Sequence, residues 1–302
     1  MNEKLFDILT FQAGYNSAVV LAGTAVLGLG CAVIGFYMML RGRSMMSDAV
    51  SHATLPGIAL GFLIALGLGV DNFKNLPMLT LMAFISAFAG MVSVQLISRF
   101  TRLAEDAAIG TVLSVFFALG LVLLSHIQNL PVSGKAGLDS FLLGQTAALQ
   151  KNELYFIAAA SAAVIAVTFL NAKEFTALCF DENFCRAQGV NVFLLDTLMS
   201  ALMIVMVCLG LKTVGAILII AMLMIPPAAA RLWSNRLSVL LPLSGLFGAA
   251  SGLIGAALSG LAPQLPAGGL IVLVAAILLA FSIFFAPARG VMRKILRRGG
   301  AS

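Results

Sequence analysis

The chain has 302 residues, 61% of them hydrophobic and 10% charged, with a mean hydropathy of +1.07 and a formal net charge of +6. Soluble domains carry about 25% charged residues, so a water-soluble globule is excluded and a protein embedded in lipid is expected. The four cysteines are scattered, with no CxxC, and neither GxxxxGK[ST], HExxH nor GxSxG occurs, which removes a disulfide or zinc framework, a P-loop nucleotide site and the commonest intramembrane hydrolases.

The first twenty residues include Glu3 and Asp7 and no basic stretch, so no cleavable signal peptide is expected. Apolar runs of about 20 residues, each able to cross about 30 Å of hydrocarbon, then recur at 18–40, 47–69, 76–98, 107–127, 154–171, 190–210, 214–233, 237–261 and 268–286. The expected fold is all-α: a single polytopic membrane domain over 1–302 with eight or nine transmembrane helices. Their many glycines and alanines suit close helix–helix contact in lipid.

The first two runs are joined by RGRS, and the second opens with SDAVSHATLPG. Asp48 and His52 are four residues apart and share one helix face. Read as a helix start, Ser47 or Asp48 caps the second run and His52 is a hydrogen-bonded core histidine. Read as ligands, the pair offers imidazole and carboxylate, which suit divalent zinc, manganese or iron. Burying two ionisable groups on one stripe in lipid is costly unless they act, which favours the ligand reading. Two ligands do not close a site, so a second subunit or further oxygens must complete it. Pro56 and Gly57 are expected to break the helix near this site, as transporters do at their ion sites.

Further along, His126 ends the fourth run. It is read as an interfacial or core histidine, with a relay or entry-ligand role as the alternative. Segment 128–153 is long, and its apolar middle, 138–149, reads either as a re-entrant or surface helix at an entrance or as an ordinary packed loop. Segment 171–189, NAKEFTALCFDENFCRAQG, holds an Asp181-Glu182 pair that can start a short helix and Gly189 that can end it. A surface amphipathic helix and a plain connector are both compatible with it. Asp196 lies near the start of the sixth run, where a polar contact to a neighbouring helix is favoured over a place on the exit path. Pro226-Pro227 are expected to break the seventh run before Arg231 and Trp233.

With RGRS inside and the runs alternating, thirteen of the eighteen basic residues, every arginine among them, fall on the cytoplasmic side. The positive-inside rule then places the N-terminus outside and the C-terminus in the cytoplasm. The net charge is accounted for by topology and calls for no nucleic-acid partner.

RGRSMMSDAVSHATLPGIALG resembles the signature of the permease subunits of ATP-binding-cassette importers for manganese, zinc and iron. VGAILIIAMLMIPPAAARLWSNRL and FDENFCRAQGV are similar to further segments of that family, and the resemblance covers essentially the whole chain. Val50 replaces the commoner leucine and Pro227 stands where alanine is usual. The resemblance implies a non-enzymatic transport subunit with no permanently bound cofactor. It implies as partners a cytoplasmic ATPase subunit, a second permease (identical or paralogous), and an extracytoplasmic metal-binding protein. It further implies Asp48 and His52 as the metal site, with Phe180, Asp181, Glu182, Phe184 and Arg186 in the helix that docks on the ATPase. Competing readings are a secondary carrier driven by an ion gradient and a permease for an iron chelate or cobalamin.

Overall fold

The computed structural model describes residues 15–68, 76–130, 149–261 and 265–291. Most of the segment 138–149, read either as a helix at an entrance or as a packed loop, lies outside the described residues. Among those described, eleven helices form: α1 (Tyr15–Leu40), α2 (Met46–Gly67), α3 (Leu76–Phe100), α4 (Glu105–Asn129), α5 (Lys151–Leu170), α6 (Ala172–Phe180), α7 (Glu182–Ala187), α8 (Val192–Val214), α9 (Ala216–Arg231), α10 (Leu237–Ser259) and α11 (Ala267–Phe285). Helices satisfy their own backbone groups, which is what a hydrocarbon solvent demands.

Eight of them are long and apolar enough to cross a bilayer. The exception among the nine predicted runs is α9, whose 16 residues rise about 24 Å, short of the about 30 Å of hydrocarbon. The inner segment 171–189 is not a single short helix. It holds two, α6 and α7, with Asp181 between them.

Two groups of helices emerge. In one, α1 is the hub, packed against α10, α9, α5 and α8, with α11 closing over α9 and α10. In the other, α2 packs against α3 and α4. Helix α8 touches both groups, meeting α1 and α5 on one side and α2 and α3 on the other. The two most enclosed helices are α1 and α2, with 78% and 72% of their most apolar stretches buried, against 17–22% for α4, α5 and α11. The outer helices carry large exposed side chains such as Val122, Tyr155 and Ile277, as expected where lipid replaces water.

The predicted breaks at Pro56-Gly57 and Pro226-Pro227 are not present. α2 runs through Pro56 and α9 runs through both prolines. A proline removes one intrahelical donor, here to the carbonyls of His52, Met222 and Leu223, but neighbouring helices hold the segment helical. Gly120 of α4 lets Pro56 approach, Gly57 packs on the Met82 carbonyl of α3, and Gly35 of α1 packs on the carbonyl of Leu223. A side chain at Gly35 or Gly57 would overlap those oxygens. The sequence signal was therefore one of close packing at the prolines, not of unwinding.

Candidate metal centre and docking surface

Asp48 sits in the first turn of α2 and His52 one turn later. His52 Nε2 lies 3.3 Å from Asp48 Oδ1, and the side chains are 30% and 43% exposed. Their stripe is the open face of an otherwise enclosed helix: Ser47, Ala49, Val50, Ser51 and Ala53 around them are buried. The hydroxyls nearby are turned back into the helix, Ser51 donating to the Ser47 carbonyl at 2.8 Å and Thr54 to that of Ser51 at 2.6 Å. They are thereby occupied with backbone carbonyls. Phe117 of α4 meets the His52 ring edge-on, with centroids 4.8 Å apart, which fixes the imidazole plane.

Among the described residues no group of three or more His, Cys, Asp or Glu side chains is placed to hold a metal ion. Asp48 and His52 thus stand as a pair of partly exposed side chains with no third such group beside them among the described residues. Neither Ser47 nor Asp48 is the N-cap of α2, because Met45 occupies that position and makes no side-chain cap bond. His126, in the last turn of α4, is exposed and is not brought near the pair on α2.

The Arg-rich end of the molecule carries a second constellation. Helix α1 closes with a left-handed Gly42 (φ 80°), and the amides of Gly42 and Arg43 return to the carbonyls of Met39 and Met38 at 3.1 and 2.9 Å. Glycine adopts that backbone without the Cβ penalty, so the turn depends on it. The same motif ends α7 at Gly189 (φ 77°), where the amides of Gly189 and Val190 bond to the carbonyls of Arg186 and Cys185, each at 3.1 Å. Asp181 caps the start of α7, its carboxylate accepting from the Phe184 amide at 3.0 Å. The ending at Gly189 was legible in the sequence, whereas the one at Gly42 was not read from it.

On α7, Glu182 and Arg186 form the expected i, i+4 pair at 2.5 Å. Glu182 also accepts from Arg41 at 2.6 Å, so it is not simply a solvent-facing charge. The guanidinium of Arg41 holds the Glu182 carboxyl below the usual carboxylate range, with Arg186 adding to the effect. Phe180 and Phe184 remain 70% and 52% exposed beside a cleft of about 760 Å³ lined by Tyr37, Phe169, Leu237 and Leu241. Asp196, 6% exposed, is ion-paired to Arg43 and lies 3.6 Å from Arg41 Nε. It meets the α1–α2 turn.

Arg41 and Arg43, which sequence reasoning had assigned only to topology, carry these interactions, and Arg43 also pairs with Glu105. The available signal was Asp196 itself: a carboxylate inside an apolar helix requires a cation, though its sequence position does not say which.

Among the described residues, a bundle of helices with eight long and apolar enough to cross a bilayer defines a multi-pass membrane protein. Residues 15–286 match the ABC 3 transport family, and the chain belongs to that family. It is 39% identical over 294 residues to the manganese transport system membrane protein MntC of Bacillus subtilis, covering 97% of this chain and 66% of that relative, so it spans slightly less than two thirds of it. It is also 39% identical over 291 residues to the zinc transport system membrane protein TroC of Treponema pallidum, with 96% of each chain covered. Its fold superposes on PsaBC from Streptococcus pneumoniae, solved in complex with Fab, with a TM-score of 0.80 at 29% identity over 97% of this chain and 99% of that one.

Proposed function

We propose that the chain is the membrane-spanning permease of an ATP-driven importer of a divalent metal ion, manganese, zinc or iron, working by alternating access. The observation that carries this reading is the Asp48–His52 pair, at 3.3 Å separation on the open face of the otherwise enclosed α2. A hard carboxylate beside an imidazole selects borderline divalent ions over organic chelates. Two donors hold an ion without closing around it, which suits brief capture and release. Names of similar proteins include both manganese and zinc transport, so the ligand chemistry sets the class of cargo and the preference among metals rests with other components.

In this reading the arginine-rich end faces the cytoplasm, in keeping with the positive-inside distribution. Phe180 and Phe184 dock in a cleft of a cytoplasmic ATPase, with Asp181 shaping α7 and Glu182 and Arg186 at its side. A second permease completes the metal path, and an extracytoplasmic binding protein delivers the ion. Pro56, Gly57, Pro226 and Pro227 act as packing points beside that path.

The test is reconstitution in proteoliposomes. The chain with its ATPase and binding protein should take up manganese, zinc or iron only when ATP is supplied on the cytoplasmic face. Uptake by this chain alone, driven by an ion gradient without ATP, would establish a secondary carrier instead.

A further inference from the structure

The two arginines of the α1–α2 turn are joined to four other elements. Arg41 donates to the Leu178 carbonyl in the last turn of α6 at 3.2 Å and to Glu182 at the start of α7 at 2.6 Å. Its Nε faces Asp196 in the first turns of α8. Arg43, 9% exposed, bridges the same Asp196 to Glu105, the first residue of α4. The first turns of α4, α7 and α8 thus converge on one short turn between α1 and α2.

That turn is stiff. The Arg43 amide is bonded to Met38, its carbonyl accepts from the Met46 amide at 3.0 Å, and Ser47 Oγ donates to the Ser44 carbonyl at 3.0 Å. Arg43 stands three residues before α2 begins and five before Asp48, and the carbonyls of Arg43, Ser44 and Met45 all accept hydrogen bonds from the first residues of α2. A displacement of the arginines is therefore passed into α2 rather than absorbed in a loose loop. The burial of Arg43 and Asp196 shields their pair from the solvent screening that makes surface ion pairs weak.

Resting on the transport reading above, we propose that Arg41 and Arg43, held by Glu182, Asp196 and Glu105, are positioning residues that clamp the docking helix α7 to the start of the metal-bearing helix α2. Through them, movement imposed on α7 by the ATPase reorients Asp48 and His52. The arginines do not touch the metal. They set how much transport each ATP turnover produces.

The readout is the ratio of manganese ions imported to ATP hydrolysed, for the complete reconstituted complex. Arg41→Gln and Asp196→Asn should each lower this ratio about tenfold, within the usual range of coupling between sites, while the ATPase still copurifies. Because the two residues act in one network, the double variant should be no worse than either single one. Arg41→Lys and Asp196→Glu keep the charges and should retain most of the ratio. An unchanged ratio in both neutral variants overturns the clamp, as do effects that multiply in the double variant. So does a fall in uptake that follows lost ATPase association with the ratio intact. Absence of ATP-dependent uptake in the unaltered complex would overturn the transport reading itself, so the two failures are told apart.

Discussion

Gly28 of α1 and Gly248 of α10 face one another so closely that a Cβ on either would overlap the other's carbonyl oxygen. The contact is the centre of a zipper repeated every four residues. One turn to one side, Thr24 Oγ1 donates to the Gly252 carbonyl at 3.2 Å. One turn to the other, Ser244 Oγ donates to the Ala32 carbonyl at 2.8 Å. Small residues let the backbones meet, and dispersion with interhelical hydrogen bonds replaces the hydrophobic drive that lipid does not provide. Gly248→Val should force α1 and α10 apart at a cost of about 1–3 kcal/mol or more, seen as a lower thermal midpoint in detergent. Gly110, around which nothing lies within 4 Å, should accept alanine with no loss. Equal effects at the two positions would show that this zipper does not hold the bundle.

The bundle was legible because lipid leaves few choices: each apolar run of crossing length became a helix. The glycines that make close contacts were visible as composition, but which helix each one meets is set by three-dimensional packing that periodicity does not encode. The prolines misled for the same reason. Pro56 and Pro226-Pro227 predict breaks in an isolated helix, yet Gly120 and Gly35 bring neighbouring backbones against them and the helices continue. Asp48 and His52 were legible because their spacing is local. The Asp196–Arg43 pair joins residues 153 positions apart, and only the fold reveals it.

Asp48→Ala and His52→Ala should each abolish metal uptake while leaving the permease stable and bound to its ATPase. Both side chains are partly exposed, so truncation opens no sealed cavity and the thermal midpoint should hold. Uptake is measured with metal-loaded binding protein in excess. Full uptake by the double variant at normal expression would return these residues to a purely structural role.

Phe184→Ala should weaken ATPase association roughly ten- to a hundredfold. Burying an aromatic side chain in a fitted pocket contributes about 1.5–3 kcal/mol, and 1.4 kcal/mol is about tenfold in affinity. Phe184 is half exposed in the isolated chain, so its loss should leave the fold's thermal midpoint unchanged. Titration of the purified ATPase subunit against the two permeases measures the difference, and equal affinities would move the docking surface elsewhere, with 99–106 the next segment to test.

Cys179, in α6, should react slowly with alkylating reagents. Burial pushes its thiol from 9.0 up to about 11, with Arg41 offsetting part of the rise. The thiolate is the reactive form, so at pH 8 its population, and with it the labelling rate, should be about a hundredfold below that of an unperturbed thiol. Peptide-level mass spectrometry after timed exposure to iodoacetamide gives the rate. Arg41→Gln should slow it further, since the neighbouring cation that favours the thiolate is gone.

Glu182 sets a pH window for the tether between α7 and the α1–α2 turn. Hydrogen bonding from Arg41 lowers its folded pKa below the ordinary 4.5, against a smaller opposing effect of burial. A carboxyl whose pKa is depressed on folding contributes stability that is fully present above its unfolded value. That contribution is lost as pH falls through the folded one. The Arg41–Glu182 pair should therefore hold from neutrality down to about pH 5 and fail only below 4.5. The difference in thermal midpoint between the unaltered protein and Glu182→Gln is the direct measure. It should be constant at and above pH 5 and shrink towards zero in more acid solution, because protonation turns the native side chain into a neutral group like the variant's. A difference that grows on acidification would mean that the carboxylate is unfavourable where it sits and that the pair does not tether α7.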